Sequence, residues 1–155
     1  MISGPSTLIL RHKRENLKKC SLRGLEARAD ICFFTYPKDL LPDLSNYILL
    51  GIDAPLLTRE DADKGLFLID GTWRYASVMQ LNIVTPPSLM VRSLPSDWIT
   101  AYPRRQNDCP DPKRGLASVE ALYAAFAILG KNTEGLLDNY YWKEDFLKKN
   151  KSILP

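Results

Sequence analysis

The sequence is poor in the residues that most often carry chemistry. It holds one histidine, His12, and three cysteines, Cys20, Cys32 and Cys109, in 155 residues. A Ser-His or Cys-His nucleophile would have to use His12, which sits in the basic run RHKR, so nucleophilic triads are not expected. No two cysteines have the close spacing of a zinc or redox site, so no metal is expected and the thiols are read as reduced. There is no GxGxxG and no P-loop pattern, which disfavours phosphate-cradling nucleotide folds. There are no repeats and no low-complexity linker. No apolar run approaches the ~20 residues of a membrane helix. The start, MISGPSTLILRHKR, has no charge before its short apolar stretch and does not read as a signal peptide. These absences lead us to expect a cytoplasmic protein with no membrane partner.

What is present is ordinary globular material. Hydrophobic residues make up 45% and charged residues 25%, enough for a core without disulfide or metal staples. Short apolar runs predict strands at Thr7–Arg11, Asp30–Tyr36, Tyr47–Ile52, Leu66–Asp70 and Ser88–Arg92. Several are too apolar to face water on one side. Helical or turn segments are expected at Leu22–Ala29, Thr58–Lys64 and Thr72–Asn82. Strands alternating with helices argue a largely parallel α/β sheet. From Leu116 the pattern turns helical: Val119, Leu122, Tyr123, Phe126 and Leu129 share one face, and Gly130 suits the stop. A second helical stretch is expected from Glu134 to about Ile153. The chain therefore divides into an α/β part, 1–94, and a mostly helical part, 95–155. The Pro-, Arg- and Asp-rich segment Pro95–Gly115 joins them as a long loop of the kind that often carries function.

The net charge is only +3, but its distribution is uneven. Basic residues gather in RHKRENLKK (11–19), in RR (104–105) with KR (113–114), and in KKNK (148–151). Any one run reads as a solvated face; three together favour an anionic partner.

The stretch LFLIDGTWRYASVM, residues 66–79, holds the sharpest signal. A buried strand ends in an acid, Asp70, followed by Gly71, Thr72 and Trp73. In open parallel sheets, ligands bind outside the carboxyl ends of the strands. The plain alternative is that Asp70 and Thr72 cap the next helix and Trp73 is core. An indole at the edge of such a site would also suit a cation.

Five blocks then resemble one family: HKRENLKKCS (12–21), APLLTREDADK (54–64), IDGTW (69–73), LASVEAL (116–122) and YYWKEDFLKKNKSIL (140–154). The chain resembles the S-adenosylmethionine-dependent aminocarboxypropyltransferases that modify uridines in RNA. Its C-terminal block is similar to the branch acting on small-subunit ribosomal RNA. DGTW follows the Asp-x-Thr-Trp pattern of the DTW-domain branch acting on tRNA. The ribosomal branch usually has Asn-Pro-x-Asn-Tyr-Gly before its final helices; here AYPRRQNDCPDPKRG (101–115) stands instead.

The resemblance implies a SPOUT-like parallel-sheet α/β domain with a trefoil knot, followed by a helical C-terminal part. It implies S-adenosylmethionine as cofactor and rRNA or tRNA as partner, the former within a small ribosomal subunit precursor. Ser21 would hold the methionine part of the cofactor. Ile69, Leu94, Arg114, Leu116, Ala117 and Ser118 would surround the nucleoside, and Trp73 and Ala76 would enclose the methyl group. Asp70 is the acid nominated to assist proton removal from the base. Arg11, Lys13, Arg14, Lys18 and Lys19, with Arg104, Arg105 and Lys113, would face the RNA, since both basic loops end at expected cofactor contacts. Two rivals remain open: an RNA methyltransferase of SPOUT type, and a non-catalytic RNA-binding assembly factor.

Overall fold

The computed structural model describes residues 6–14, 20–71, 73–83, 85–103 and 115–154, the side chains of Trp73 and Arg74 excepted. Five strands form one sheet: β1 (Thr7–His12), β2 (Ile31–Tyr36), β3 (Tyr47–Leu56), β4 (Gly65–Asp70) and β5 (Met90–Ser93). Their order is β2-β1-β4-β3-β5 and every pairing is parallel. Three α-helices accompany them: α1 (Trp73–Asn82), α2 (Ser118–Leu129) and α3 (Lys143–Lys149).

Both faces of the sheet are covered, which is why its strands read as near-continuous apolar runs. Alternation along each strand sorts the side chains. Ile9, Ile48, Leu66 and Leu68 join Val119, Leu122, Phe126 and Leu129 in a core on the α2 side. Leu8, Leu10, Leu49 and Phe67 join Met79 of α1 in a second core on the opposite side. All of these are at most 6% exposed.

The fold class expected from the resemblance is corrected here. The described residues define a mixed α/β fold with a five-stranded parallel sheet and three α-helices, and a SPOUT trefoil knot is not shown. Threading is a property of how connections pass one another, and strand periodicity and short motifs carry no such information.

Two segments expected as helical or turn form short turns, and one expected helical stretch is broken. Leu22–Ala29 contains only a 3-10 turn, Leu25–Ala27, entered through Gly24 at φ 91°. Thr58–Lys64 is a 3-10 turn over Arg59–Asp63, whose start is tied by Thr58 N–H donating to Asp61 at 3.1 Å. The stretch from Glu134 is broken into turns, with Gly135 at φ 81°, before α3 begins. In each case a left-handed glycine or a local acid offers the backbone a tight turn.

β3 is longer than expected and irregular. Gly51 and Leu56 both register against Ser93, so Ile52–Pro55 bulges out of the ladder. Ser93 ties the bulge at both ends: its hydroxyl donates to the Ala54 carbonyl at 2.6 Å, and its carbonyl accepts from Leu57 N–H at 2.8 Å. Asp53 within the bulge has φ 54°, a left-handed conformation that Asp tolerates better than most residues.

Two buried polar side chains lock the segment after β5 to the helices. Glu120, fully buried in α2, accepts from Thr100 Oγ1 (2.6 Å), Ala101 N (2.8 Å), Ala117 N (2.8 Å) and Tyr140 OH (2.9 Å). Asn150 accepts from Ile99 N at 2.7 Å and donates to the Ile99 and Phe146 carbonyls at 2.8 Å. Replacing Glu120 by Leu leaves four donors without that acceptor. Urea denaturation should show a loss of about 3 kcal/mol or more; a loss below about 1 kcal/mol would mean that water replaces the carboxylate.

Candidate active site at the strand ends

The carboxyl ends of β3 and β5 open into a cavity of about 550 Å³. The bulge forms one wall, with Gly51, Ile52, Asp53, Ala54 and Leu56. The segment Ser93–Trp98 forms the other, and Gly115 and Leu116 close it where the chain enters α2. Ile52 is 81% exposed, an unusual place for isoleucine and one where a ligand would gain apolar contact. Trp98 is held from behind by Phe146, the two rings stacked at 6.1 Å and 17°.

Next to this cavity, at the end of β4, lies a buried polar cluster. Asp70 is 4% exposed. Its Oδ1 accepts from Ser118 Oγ at 2.6 Å. Its Oδ2 accepts from Cys20 Sγ at 3.2 Å and from Arg11 Nε at 3.4 Å. Arg11 is itself buried, reaches Glu26 at 3.5 Å through Nη1, and stacks its guanidinium 4.4 Å above the Phe33 ring. Its Nη2 is buried and has no hydrogen-bond partner among the described residues. Ser21 Oγ accepts from Val119 N–H at 3.1 Å, so residues 20–21 are stitched to the first turn of α2. Three distant chain segments thus meet at one carboxylate.

Several expected site residues come together. Ser118 donates to Asp70 and Ser21 accepts from Val119 beside it, while Leu94 and Leu116 line the cavity, Leu116 two residues before Ser118. Ala117 is buried between them and spends its N–H on Glu120. Ile69 faces the α1 side and packs with the second core, so it is not beside Asp70's carboxylate. Ala76 is half-buried in α1, and Trp73 starts that helix. Lys13 and Arg14 are exposed just after β1. Lys18, Lys19, Arg104, Arg105, Lys113 and Arg114 lie outside the described residues.

Two expectations need correction. Arg11 is not on an RNA-facing surface: alternation along β1 turns it inward, where Asp70, Glu26 and Phe33 engage it. Asp70 is not placed as an open base either, since Ser118, Cys20 and Arg11 already donate to its two oxygens. Asp53 and Asp97, on the cavity rim, were missed by motif reading. The available signal was an acid two residues after the last paired glycine of an apolar strand, in GIDAPL.

Among the described residues no group of three or more His, Cys, Asp and Glu could hold a metal ion, and no helix is long and apolar enough to cross a membrane. No protein-family model and no curated protein matches the chain. Among solved structures, the SAM-dependent rRNA:acp-transferase Tsr3 from Vulcanisaeta distributa is similar, with a TM-score of 0.71. The likeness covers 94% of this chain and 78% of that one, at 24% identity. At that identity the two share a fold: the α/β class holds for both, and the likeness carries no residue-level assignment.

Burial pushes the Cys20 thiol up to about 12, and the adjacent Asp70 charge adds to the rise. The thiol's folded value exceeds its ordinary 9.0, so the folded chain holds this proton more tightly than the unfolded one. Its contribution to stability is whole below pH 9 and fades as pH climbs toward 12. Cys20→Ser keeps a donor to Asp70 but does not titrate. Its stability should fall less steeply over that alkaline interval than that of the parent, followed by urea midpoints at several pH values. Parallel curves would show that the thiol does not face Asp70.

Proposed function

We propose that the protein transfers the 3-amino-3-carboxypropyl group of S-adenosylmethionine to a uridine-type base of rRNA or tRNA, releasing methylthioadenosine. The observation that carries this reading is the cavity at the ends of β3 and β5, whose walls include Leu94 and Leu116, two positions named by the motif resemblance. The fold shared with an rRNA acp-transferase supports it.

The residues present fit such a donor. Ligand cavities of about 300–1,000 Å³ are the usual size for small molecules. Ile52, Leu94 and Leu116 offer apolar contact for a nucleoside, and the rim carboxylates of Asp53 and Asp97 can accept hydrogen bonds from ribose hydroxyls. The donor supplies a sulfonium whose carbon–sulfur bond breaks as the base's ring nitrogen bonds to that carbon. The nitrogen's proton passes to solvent and the sulfur leaves as a neutral thioether.

The chain's own contribution is orientation. Asp70 fixes Ser118 and the Cys20–Ser21 segment, and Ser21 accepts from the first turn of α2. Three carbons surround the sulfonium, and the one held in line with the nucleophile reacts, so a rigid pocket decides which group moves. Asp70 therefore acts as a positioning residue. Asp70→Asn should weaken S-adenosylmethionine binding and lower the melting temperature together. Calorimetric titration beside thermal unfolding checks this; a fall in turnover alone, with affinity and stability intact, would restore Asp70 as the base.

The decisive experiment is product analysis. Incubated with S-adenosylmethionine and rRNA or tRNA from cells lacking the gene, the protein should release methylthioadenosine and leave an aminocarboxypropyl mass increment on a uridine nucleoside. S-adenosylhomocysteine with a methyl increment would replace this reading by a methyltransferase. RNA binding without either product would leave a binding factor.

A further inference from the structure

The sole histidine, set aside on sequence grounds, sits in an aromatic cluster outside the Asp70 network. β1 ends at His12 and β2 at Tyr36, and the parallel register sets these two residues side by side. They occupy the α1 side of the sheet, opposite Arg11. Tyr75, in the first turn of α1, lies flat on the His12 ring, with centroids 4.0 Å apart and planes 8° from parallel. Tyr36 stands 5.7 Å from His12, tilted by 34°. All three residues are partly exposed, and Lys13 and Arg14 beside them are exposed.

Gly71 lies directly under the stack. A Cβ there would approach Tyr75 Cβ at 3.3 Å, Met79 Sδ at 3.6 Å and His12 Cβ at 3.7 Å. The glycine that follows the end of β4 lets the first turn of α1 settle onto the end of β1. Here is a structural reason for glycine in the DGTW stretch that needs no ligand contact.

The His12 ring also has a defined polarity. Its Nδ1 accepts the backbone N–H of Arg14 at 3.1 Å, which leaves the neutral ring's proton on Nε2 as a donor. Burial, with the charges of Arg14 and Lys13, holds the ring below its ordinary value, which favours that neutral form.

We infer that His12, Tyr36 and Tyr75 form a stacking platform for an unpaired pyrimidine base of the RNA, flanked by phosphate contacts from Lys13 and Arg14. The inference rests on the RNA-modifying reading above and names where an unpaired base of the bound RNA is held. Unpaired bases are recognised by stacking on aromatic side chains with hydrogen bonds to their polar edges. The His12 Nε2–H suits the carbonyl oxygens of uracil. The platform and the cavity stand at the same ends of the strands but on different faces: Tyr36 and Tyr75 pack with the α1-side core, whereas Leu94, Trp98 and Leu116 of the cavity pack with the α2-side core.

The test compares a short oligouridylate with an abasic oligomer of equal length and charge, titrated into the full chain. The parent protein should prefer the base-bearing oligomer by about 10-fold or more. His12→Ala with Tyr75→Ala should bind both equally, retaining a salt-dependent residue of affinity from phosphate contacts. Tyr75→Phe keeps the ring and should keep the preference. An oligomer carrying 4-thiouridine, irradiated on the unaltered protein, should cross-link to peptides containing His12, Tyr36 or Tyr75, which decides the matter even if the alanine variant fails to fold. Equal binding of both oligomers by the parent, or cross-links confined to other peptides, overturns the platform. The two readings separate cleanly. Methylthioadenosine release without base preference leaves the transferase and removes the platform. Base preference lost in the double variant, with no methylthioadenosine from any RNA, leaves the platform and removes the transferase.

Discussion

Everything at the strand ends depends on one buried carboxylate. Asp70 closes β4 at the centre of the sheet and is reached by a serine from α2, a thiol from the segment after β1, and a guanidinium from β1 itself. A charge removed from water needs such donors, because an unpaired one would cost several kcal/mol. Once they are supplied, three segments far apart in sequence are held in one place. The closure between Ser118 and Asp70 spans 48 residues, and that between Cys20 and Asp70 spans 50. Contacts of this range restrict the backbone more than any local turn does.

The cavity has a different origin. It exists because β3 stops pairing regularly at Gly51 and resumes at Leu56, leaving four residues outside the ladder. Bulges of this kind re-aim side chains and recur beside binding sites. The opposing wall would drift without anchorage, since it has no ladder of its own beyond Ser93. Glu120 and Asn150 supply that anchorage through backbone groups of Ile99 and Ala101, so the C-terminal helices help set the shape of the site.

The two faces of the sheet divide the work. On the α2 side, Arg11 and Asp70 make a closed polar cluster above an apolar core. On the α1 side, His12, Tyr36 and Tyr75 make a partly open aromatic one. Adjacent residues of β1, Arg11 and His12, belong to opposite faces and hence to different chemistry. The same alternation explains why a basic run that reads as one surface in the sequence does not behave as one.

Much of the architecture is legible without coordinates. All five strands follow from apolar runs, and α1 and α2 from their helical spacing, because burial on both faces imposes strong patterns. Ser21, Asp70, Leu94, Leu116 and Ser118 are named together by motif resemblance, and the fold brings them to the strand ends. Other features are not legible without coordinates. The bulge depends on where Ser93 meets β3; the inward turn of Arg11 depends on which face α2 covers. Asp70's enclosure depends on donors 48 to 59 residues away. The stack of His12 on Tyr75 depends on α1 packing its first turn onto the end of β1. The sequence by itself determined which segments pair and which are buried, since those are properties of neighbours along the chain. Only the tertiary structure decided which polar groups face each other, because that follows from register and from which helix lies on which face.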